Sequence, residues 1–507
     1  MATYLRPGVY VQETLNPIPS VAGTSSQSVA AFIGATYQGP TIPTLVTSWS
    51  QYLSLYGGWT TNNTLHYAVL LFFSNGGSQC YVLRVVSPSL SGSTGIATRS
   101  FNDRNGSPAT TLTIQAANPG AWGNTLSVTI TNSVTTGYVN LTVAQTIGTA
   151  VTVLEYYTDL SMDSTDNRYI IQVINSQSNY IVAIDNGSSA PLSPTNLRNP
   201  VTASNIFLAG GLDYNTGGAM PTASDITNAL SKLDIINSSL VLNIPGVTDY
   251  VDVNSALSYA SNRGDVFVVI DGINDTPANQ IALAQQYTAT NYGAVYYPPL
   301  YIKDPTTSVA GATLTVGNGA AVAGLYMNTD ASRGVFKAPA GLQARIAGTI
   351  GVAPIKNADL DSLNSAAVPV NAIRYIPGSG VVVMGARTLL PGTVAKYVPV
   401  RRTLIYLEKA LKDLTQFAIF EPNDAKLWRK VEATVASFLT DFWRQGGLNG
   451  STPSTAFFVK CDAELNPISL VDAGQLNIEI GVALQRPAEF VIIKIGQFDG
   501  GATVTVS

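Results

Sequence analysis

The sequence predicts a multidomain protein that combines α/β and α+β architecture, and its length, composition and periodicity support this fold class. The chain has 507 residues, which at the usual domain size corresponds to about three domains. Apolar residues make up 46% of the chain, while 44 glycines and 27 prolines indicate many turns and therefore many strands. Continuous apolar runs typical of buried parallel strands alternate with helical periodicity in some regions and with short Thr-rich strands in others.

The order of these patterns divides the chain into six predicted segments. They are an N-terminal extended arm (1–20), the first part of an α/β domain (21–90), an inserted all-β module (91–200), the second part of the α/β domain (201–360), a C-terminal α+β polymerisation domain (361–489) and a C-terminal arm strand (490–507). Prolines around the short β-type run of the first segment disfavour a helix there. The stretch 105–154 of the module is uncharged, and insertion at a loop tip is well tolerated.

Two amphipathic helices are predicted in the C-terminal domain. One runs from about Val400 to Phe417, and the other starts after the segment Glu421–Asp424 and stops at Gly446-Gly447. The charges that other regions lack are concentrated on these helices. Three of them form a basic cluster on the second helix, namely Lys426, Arg429 and Lys430. This cluster is either a solvated helix face or an electrostatic contact to an acidic partner surface, with Arg401 and Arg402 nearby in sequence.

Charge is scarce, and its balance argues against a nucleic-acid partner. Charged residues make up 11% of the chain, against about 25% in typical globular domains. The surface is therefore covered by uncharged polar side chains or by other subunits. The formal net charge of −4 gives no electrostatic reason for binding nucleic acid. The uncharged stretches are rich in Thr, Asn and Gly, so we expect no membrane insertion, and the N-terminus shows no secretory signal.

The residue types that carry most enzyme chemistry are rare, which predicts a protein that is not an enzyme and uses no cofactor and no metal. His66 is the single histidine, so it would have to serve any Ser-His-Asp mechanism, and multi-His metal sites are excluded. No Gly-Lys step is present for a phosphate-binding P-loop. Asp271 ends the apolar run 266–270, where it is either a turn-capping residue or the catalytic carboxylate of an α/β hydrolase. That hydrolase is the alternative of another class.

Several short segments, taken in their order and spacing, resemble one known family. Near the N-terminus they are Pro7–Glu13, Phe32–Gly34 followed by Gly39-Pro40, and Tyr81–Val85. Toward the C-terminus they are Val398–Arg402, Phe420–Asp424, Leu427-Trp428, Phe457–Asp462 and Arg486–Phe490. Together they resemble the bacteriophage contractile tail sheath proteins, whereas 91–200 carries no match, as expected of a variable outer insertion. Pro399 departs from the family pattern but suits the first turn of a helix.

The resemblance implies a structural subunit that polymerises as stacked six-fold rings around a tail tube and contracts to drive the tube through the host cell envelope. It also implies that terminal strands are exchanged between subunits. The implied exchange strands are the N-terminal arm residues Val9, Tyr10 and Val11 and the C-terminal arm residues Phe490, Val491, Ile492, Ile493, Lys494 and Ile495. The implied recipient sheet contains Phe457, Phe458, Val459, Leu476, Ile478 and Ile480, and Lys426, Arg429 and Lys430 become possible tube contacts.

The partners implied by the resemblance are further copies of the chain, the tail tube protein, and baseplate and tail terminator proteins. The expected location is the virion tail, after assembly in the host cytoplasm. The sheath of a phage-derived injection device or bacteriocin particle is a close alternative, because such sheaths share the C-terminal motifs. A Thr-rich extracellular adhesin is a third hypothesis, and such a protein would need an export signal.

Overall fold

A computed structural model describes residues 28–58, 64–86, 95–192, 195–212, 223–305, 307, 309–392 and 394–489. The predicted arm strands Val9–Val11 and Phe490–Ile495 lie outside these described residues. The described strands are β1 (Val29–Gly34), β2 (Thr44–Val46), β3 (Cys80–Arg84), β4 (Thr98–Asn102), β5 (Thr110–Ala116), β6 (Leu126–Asn132), β7 (Val139–Ile147), β8 (Ala150–Leu160), β9 (Ile181–Asp185), β10 (Ala203–Phe207), β11 (Leu240–Asn243), β12 (Val266–Ile270), β13 (Gly293–Tyr297), β14 (Leu300–Lys303), β15 (Thr313–Val316), β16 (Gly351–Val352), β17 (Asn371–Ile376), β18 (Gly380–Val383), β19 (Phe457–Lys460) and β20 (Glu479–Val482).

Helices follow or separate these strands. The described α-helices are α1 (Trp49–Tyr56), α2 (Thr64–Ser74), α3 (Ile170–Gln177), α4 (Ala223–Lys232), α5 (Tyr250–Arg263), α6 (Pro277–Ala284), α7 (Gly319–Arg333), α8 (Asn357–Ser365), α9 (Val398–Leu414), α10 (Ala425–Arg444), α11 (Pro453–Ala456) and α12 (Ile468–Asp472). None of the helices in the described part of the chain is both long and apolar enough to span a bilayer.

A central eight-stranded sheet has the order β18-β17-β13-β12-β11-β1-β3-β2. Its inner strands pair in parallel, and they are mostly apolar because helices cover both faces. The polar exceptions Arg84 and Asn243 lie at the carboxyl ends of β3 and β11. One face packs against a core that includes residues of α2 and α7, and the other against a core with residues of α4 and α5. The sheet thus joins strands from 29–84 with strands from 240–383.

The strand pairing does not follow the predicted segment boundaries at residues 200 and 361. β17 and β18 extend the central sheet, so the predicted division at residue 361 separates strands that the structure joins. β10 pairs with β6, so strands of the module continue past residue 200. In both places only the pairing partner of the strand reveals which sheet it joins.

Residues 98–207 form two sheets around a core of their own. The sheet orders are β10-β6-β7-β8 and β4-β5-β9, and Trp122 is among the buried residues between them. The prediction of an all-β module is wrong in one element, because α3 lies between β8 and β9. Ile170, Val173 and Ile174 have helical spacing and bury one face of α3 in this core.

The C-terminal region is built on α9 and α10, whose apolar stripes share one core with β19 and β20. Pro399 lies in the first turn of α9, as predicted, where its missing N–H costs no hydrogen bond. α9 ends at Leu414, before the predicted Phe417, and a short 3₁₀ turn follows at Gln416–Ala418. The Asp424 carboxylate accepts hydrogen bonds from the backbone N–H groups of Lys426 and Leu427 and thereby starts α10.

Candidate assembly surfaces

The two-stranded sheet of the C-terminal region contains most of the predicted recipient residues. β19 and β20 are antiparallel, with Phe457 opposite Val482 and Val459 opposite Ile480. Within the described part of the chain each of the two strands has a single strand neighbour, so each keeps an outer edge without a paired strand. A two-stranded sheet is marginal by itself, and an open edge can accept a further strand through main-chain hydrogen bonds.

Leu476 and Ile478 were predicted to lie in this sheet, but they precede β20 and are not part of it. The reason is the side-chain amide of Asn466, which accepts a hydrogen bond from the Asn477 N–H at 2.6 Å and donates one to the Asn477 carbonyl at 3.0 Å. The amide takes the place of a neighbouring strand at this residue. Leu476 and Ile478 instead pack on the core beneath the sheet.

The basic cluster forms one exposed face at the start of α10. Lys426, Arg429 and Lys430 are exposed and, because they are three and four residues apart, they point to the same side of the helix. The ammonium group of Lys430 lies 4.5 Å from the centre of the Phe417 ring. Hydrogen bonds from two backbone N–H groups lower the pKa of Asp424, which lies two residues before Lys426.

Arg401 and Arg402 do not belong to that exposed face, because both are buried in α9. Arg401 Nη2 lies 2.9 Å from Glu408 Oε2, and its guanidinium lies 4.2 Å from the centre of the Tyr292 ring. Arg402 Nη1 lies 3.0 Å from Asp330 Oδ1 on α7, so this pair joins the C-terminal helices to the central domain. Their sequence neighbourhood suggested a surface role, and only the packing of α9 reveals the buried one.

The turn between α9 and α10 presents an exposed aromatic side chain that sequence reasoning did not single out. Phe420 is 88% exposed and has a φ of +64°, a backbone conformation that side chains with a Cβ rarely adopt. Glu421 and Pro422 beside it are exposed as well. Phe420 lies in one of the segments that resemble the sheath proteins, but its exposure and strain are properties of the folded turn.

A cleft of about 570 Å³ lies between the central domain and the C-terminal region. Its apolar lining includes Phe336, Met384 and Tyr397, and its cations are Arg333, Lys337 and Arg486. Glu489 also lines it, but this carboxylate is held by Arg387, whose Nη2 donates to Oε2 at 2.7 Å. Burial, with a further effect of the neighbouring Arg333 charge, lowers the pKa of Lys337.

Asp271, the candidate catalytic carboxylate, is buried and engaged in structural hydrogen bonds. It accepts from the Gly246 N–H at 2.7 Å and the Gly319 N–H at 2.6 Å, and from the Asn243 amide at 3.3 Å. These contacts tie the end of β12 to the start of α7. Burial raises the pKa of Asp271, although its donors act in the opposite direction.

His66 is likewise partnered inside the core. Its Nδ1 lies 2.6 Å from the Tyr52 hydroxyl, and its Nε2 contacts the Gly58 carbonyl. Because Nε2 faces an acceptor, it carries the proton and Nδ1 accepts from Tyr52. No group of three or more His, Cys, Asp or Glu side chains suited to a metal is found among the residues that the structure describes.

Comparisons with known proteins agree with the resemblance noted in the sequence. Residues 392–498 match the family model of the phage tail sheath C-terminal domain. The sheath complex of an extracellular contractile injection system, PVC, in its contracted state is similar over 98% of this chain and 99% of its own, with a TM-score of 0.59 and 22% identity. The contracted helical sheath of the anti-feeding prophage covers 98% and 100%, with a TM-score of 0.58 and 21% identity.

A sheath tail protein from Listeria innocua is similar over 88% of this chain and 90% of its own, with a TM-score of 0.59 and 14% identity. No curated protein matches the chain. The solved structures thus share the fold along nearly the whole chain, and the family match covers the region with the open sheet and the basic helix face. Residues 392–498 thus match the family model of the phage tail sheath C-terminal domain, and the chain as a whole shares the fold of the solved sheath proteins.

Proposed function

We propose that this chain is the structural subunit of a contractile sheath in a phage-like particle. The observation that carries the proposal is the combination of the family match over residues 392–498 with similarity to solved sheath proteins over 98% of the chain. The subunit polymerises as stacked six-fold rings around a tail tube, and contraction of the polymer drives the tube through the host cell envelope. It acts in the tail of the particle, after assembly in the host cytoplasm.

The proposed partners are further copies of the chain, the tail tube protein, and baseplate and tail terminator proteins. Only 11% of the residues are charged. This low content supports the proposal that neighbouring subunits cover much of the surface. The open edges of β19 and β20 suit strand exchange, with Val9–Val11 and Phe490–Ile495 as the exchanged strands. The exposed face of Lys426, Arg429 and Lys430 suits an acidic surface of the tube.

The particle is either a phage tail or a phage-derived injection device. Sequence identity is 22% to the injection-system sheath and 14% to the Listeria innocua protein. At identities this low, the similarity indicates a shared fold and does not identify which kind of particle contains the chain. The hydrolase alternative is less well supported, because the Asp271 carboxylate is occupied by the backbone N–H groups of Gly246 and Gly319.

Negative-stain electron microscopy of the purified chain across a concentration series tests the proposal. We expect hollow striated tubes to form as concentration rises, or to form when a cognate tail tube is added as a template. Monodisperse particles under both conditions would contradict the proposal. Tubes formed without a template would indicate that the contracted arrangement has the lower free energy.

Deletion of residues 490–507 tests the strand-exchange part. We expect a folded protein that no longer forms tubes, because the donated strand is lost while the recipient sheet remains. Circular dichroism and thermal unfolding establish that the truncated chain is folded. Intact tubes from the truncated chain would contradict the assignment of the C-terminal arm.

A further inference from the structure

The turn between α9 and α10 has the features of an anchor for a protein partner. A large aromatic side chain that is 88% exposed loses favourable burial, and its φ of +64° adds backbone strain. Strained residues of this kind cluster at binding sites, and aromatic side chains dominate the energetics of interfaces. The next residue, Glu421, adds an exposed carboxylate to the aromatic ring.

The cleft between the two parts of the molecule has the complementary properties. Phe336, Met384 and Tyr397 supply an apolar lining, and Met384 is 43% exposed there. None of the ion pairs within the described part of the chain includes Arg333, Lys337 or Arg486. An arriving carboxylate would relieve the repulsion between Arg333 and Lys337. The volume of about 570 Å³ falls in the range of pockets that enclose whole ligands, so it exceeds what one aromatic ring requires.

The anchor, formed by Phe420 and Glu421, and the cleft lie at opposite ends of one helix. Phe420 precedes α10, whereas Gln445 and Gly446, which line the cleft, directly follow it. Because α10 has 20 residues, its ends are about 30 Å apart. The two features therefore cannot meet within one copy, but they can meet between consecutive copies. A contact between two different surfaces of the same protein is heterologous and extends into rings or open helical polymers.

We propose that Phe420 and Glu421 of one copy insert into the cleft of the next copy. The Phe420 ring packs on Phe336 and Met384, and the Glu421 carboxylate is held by Arg333, Lys337 and Arg486. The inference rests on the proposed function for its setting, a polymer of identical subunits. It adds a specific contact between copies that uses no exchanged strand.

Thiol cross-linking between two singly substituted chains tests the contact directly. Chains carrying Phe420→Cys and Met384→Cys are mixed, assembled and treated with a short bis-maleimide. The native thiols react slowly, because Cys80 is 0% and Cys461 is 3% exposed. We expect a cross-linked dimer only in the mixture, and a ladder when both substitutions are on one chain. Chains with Ile468→Cys in place of Phe420→Cys are the control, since Ile468 is another strongly exposed apolar residue of the C-terminal region, at 73%.

Substitutions of the anchor test its contribution to assembly. Phe420→Ala should raise the concentration needed for tube formation about 30-fold, the effect of removing one interface hot spot. Ile468→Ala should leave this concentration unchanged. Phe420→Gly should weaken assembly in the same way without lowering the thermal midpoint of the unassembled chain, because glycine accepts the positive φ. If Phe420 only supported folding, its substitution would lower the thermal midpoint of the unassembled chain and leave the concentration needed for tube formation unchanged.

A charge exchange tests the pairing. Glu421→Lys and Arg333→Glu should each impair assembly, and the chain with both substitutions should recover part of it. Asp472→Lys makes the same charge change at another exposed position of the region and should have no effect.

The outcomes separate this inference from the proposed function. Wild-type tubes together with unchanged assembly of Phe420→Ala and no Phe420–Met384 cross-link would overturn the inference alone. A dimer from Phe420→Cys chains without the Met384→Cys partner would replace it with a symmetric contact. Failure of the wild-type chain to assemble, with or without a tail tube, would contradict the proposed function itself.

Discussion

The central sheet and the C-terminal region differ in how their polar groups find partners. In the central domain, several charged and amide side chains, such as Asp271 and Asn371, are buried and bound to the chain's own backbone. Arg84, for example, is 2% exposed and donates to the carbonyls of Gly39 and Pro119. In the C-terminal region, Arg401 and Arg402 are buried with partners as well, but Lys426, Arg429 and Arg486 are exposed, and β19 and β20 keep open edges within the described residues. The first arrangement stabilises one copy, whereas the second is suited to contacts between copies.

This comparison predicts that substitutions in the two places affect different measurements. Changes to buried, partnered groups should lower the free energy of unfolding of the isolated chain. Changes to the outward-facing groups should alter assembly and leave folding unchanged.

The largest effect is expected for Arg402→Ala. It leaves the buried Asp330 carboxylate, whose side chain is 6% exposed, without its guanidinium partner. Breaking a buried ion pair in this way costs about 3–5 kcal/mol. Urea unfolding of the unassembled chain measures the loss. Arg444→Ala removes the exposed ion pair with Asp441 and should lower the free energy of unfolding by less than about 1 kcal/mol. Equal losses for the two variants would contradict the expected difference between buried and exposed pairs.

A somewhat smaller effect is expected from the titration of His66. Burial lowers its pKa from 6.5 to about 4, although hydrogen bonds to backbone carbonyls act in the opposite direction. The unfolded chain therefore binds this proton more readily, and the His66 contribution to stability is present above about pH 6.5 and is lost as the pH falls toward about 4. The difference corresponds to about 3 kcal/mol.

Comparison of the wild type with His66→Gln across this pH range isolates the effect, because the chain has 1 histidine. The variant should be less stable at pH 7, and its deficit should shrink as the pH approaches 4. A deficit that is independent of pH would show that the imidazole is not held neutral by its surroundings.

The smallest effect on folding is expected for the combined change Arg429→Glu and Lys430→Glu. Both side chains are exposed, so the free energy of unfolding should change by about 0.5 kcal/mol or less. Assembly on a tail tube should be impaired more than assembly of the chain alone, as co-sedimentation with and without tubes would measure. Equal impairment of both would assign the face to contacts between copies of the chain.

Parts of the fold follow from local patterns in the sequence. The apolar runs of β1 and β12 predict buried strands, because a strand covered on both faces has no polar side to alternate with. The stripe from Leu427 to Phe442 and the cap at Asp424 predict α10. Phe457, Phe458 and Val459, which we propose as recipient residues, lie in the strand that their sequence indicates.

Other features required the folded chain. Leu476 and Ile478 alternate like strand residues, yet the distant Asn466 amide occupies the backbone of the residue between them. Arg402 follows Arg401 in a basic stretch, and burial on the central domain gives it a structural role instead of a surface one. The membership of β17 and β18 in the central sheet depends on a strand pairing over more than seventy residues.

By itself, the sequence determined the mixed fold class, the two C-terminal helices and the resemblance to sheath proteins, because these follow from periodicity, capping and short motifs that act locally. The scarcity of charge and the single histidine also reduced the number of function classes to consider before the fold was known. Only the tertiary structure decided which groups are buried and which remain exposed. It placed the strained Phe420 in solvent and formed the cleft around Lys337 from segments far apart in the chain, since exposure and cavity shape depend on packing between distant residues.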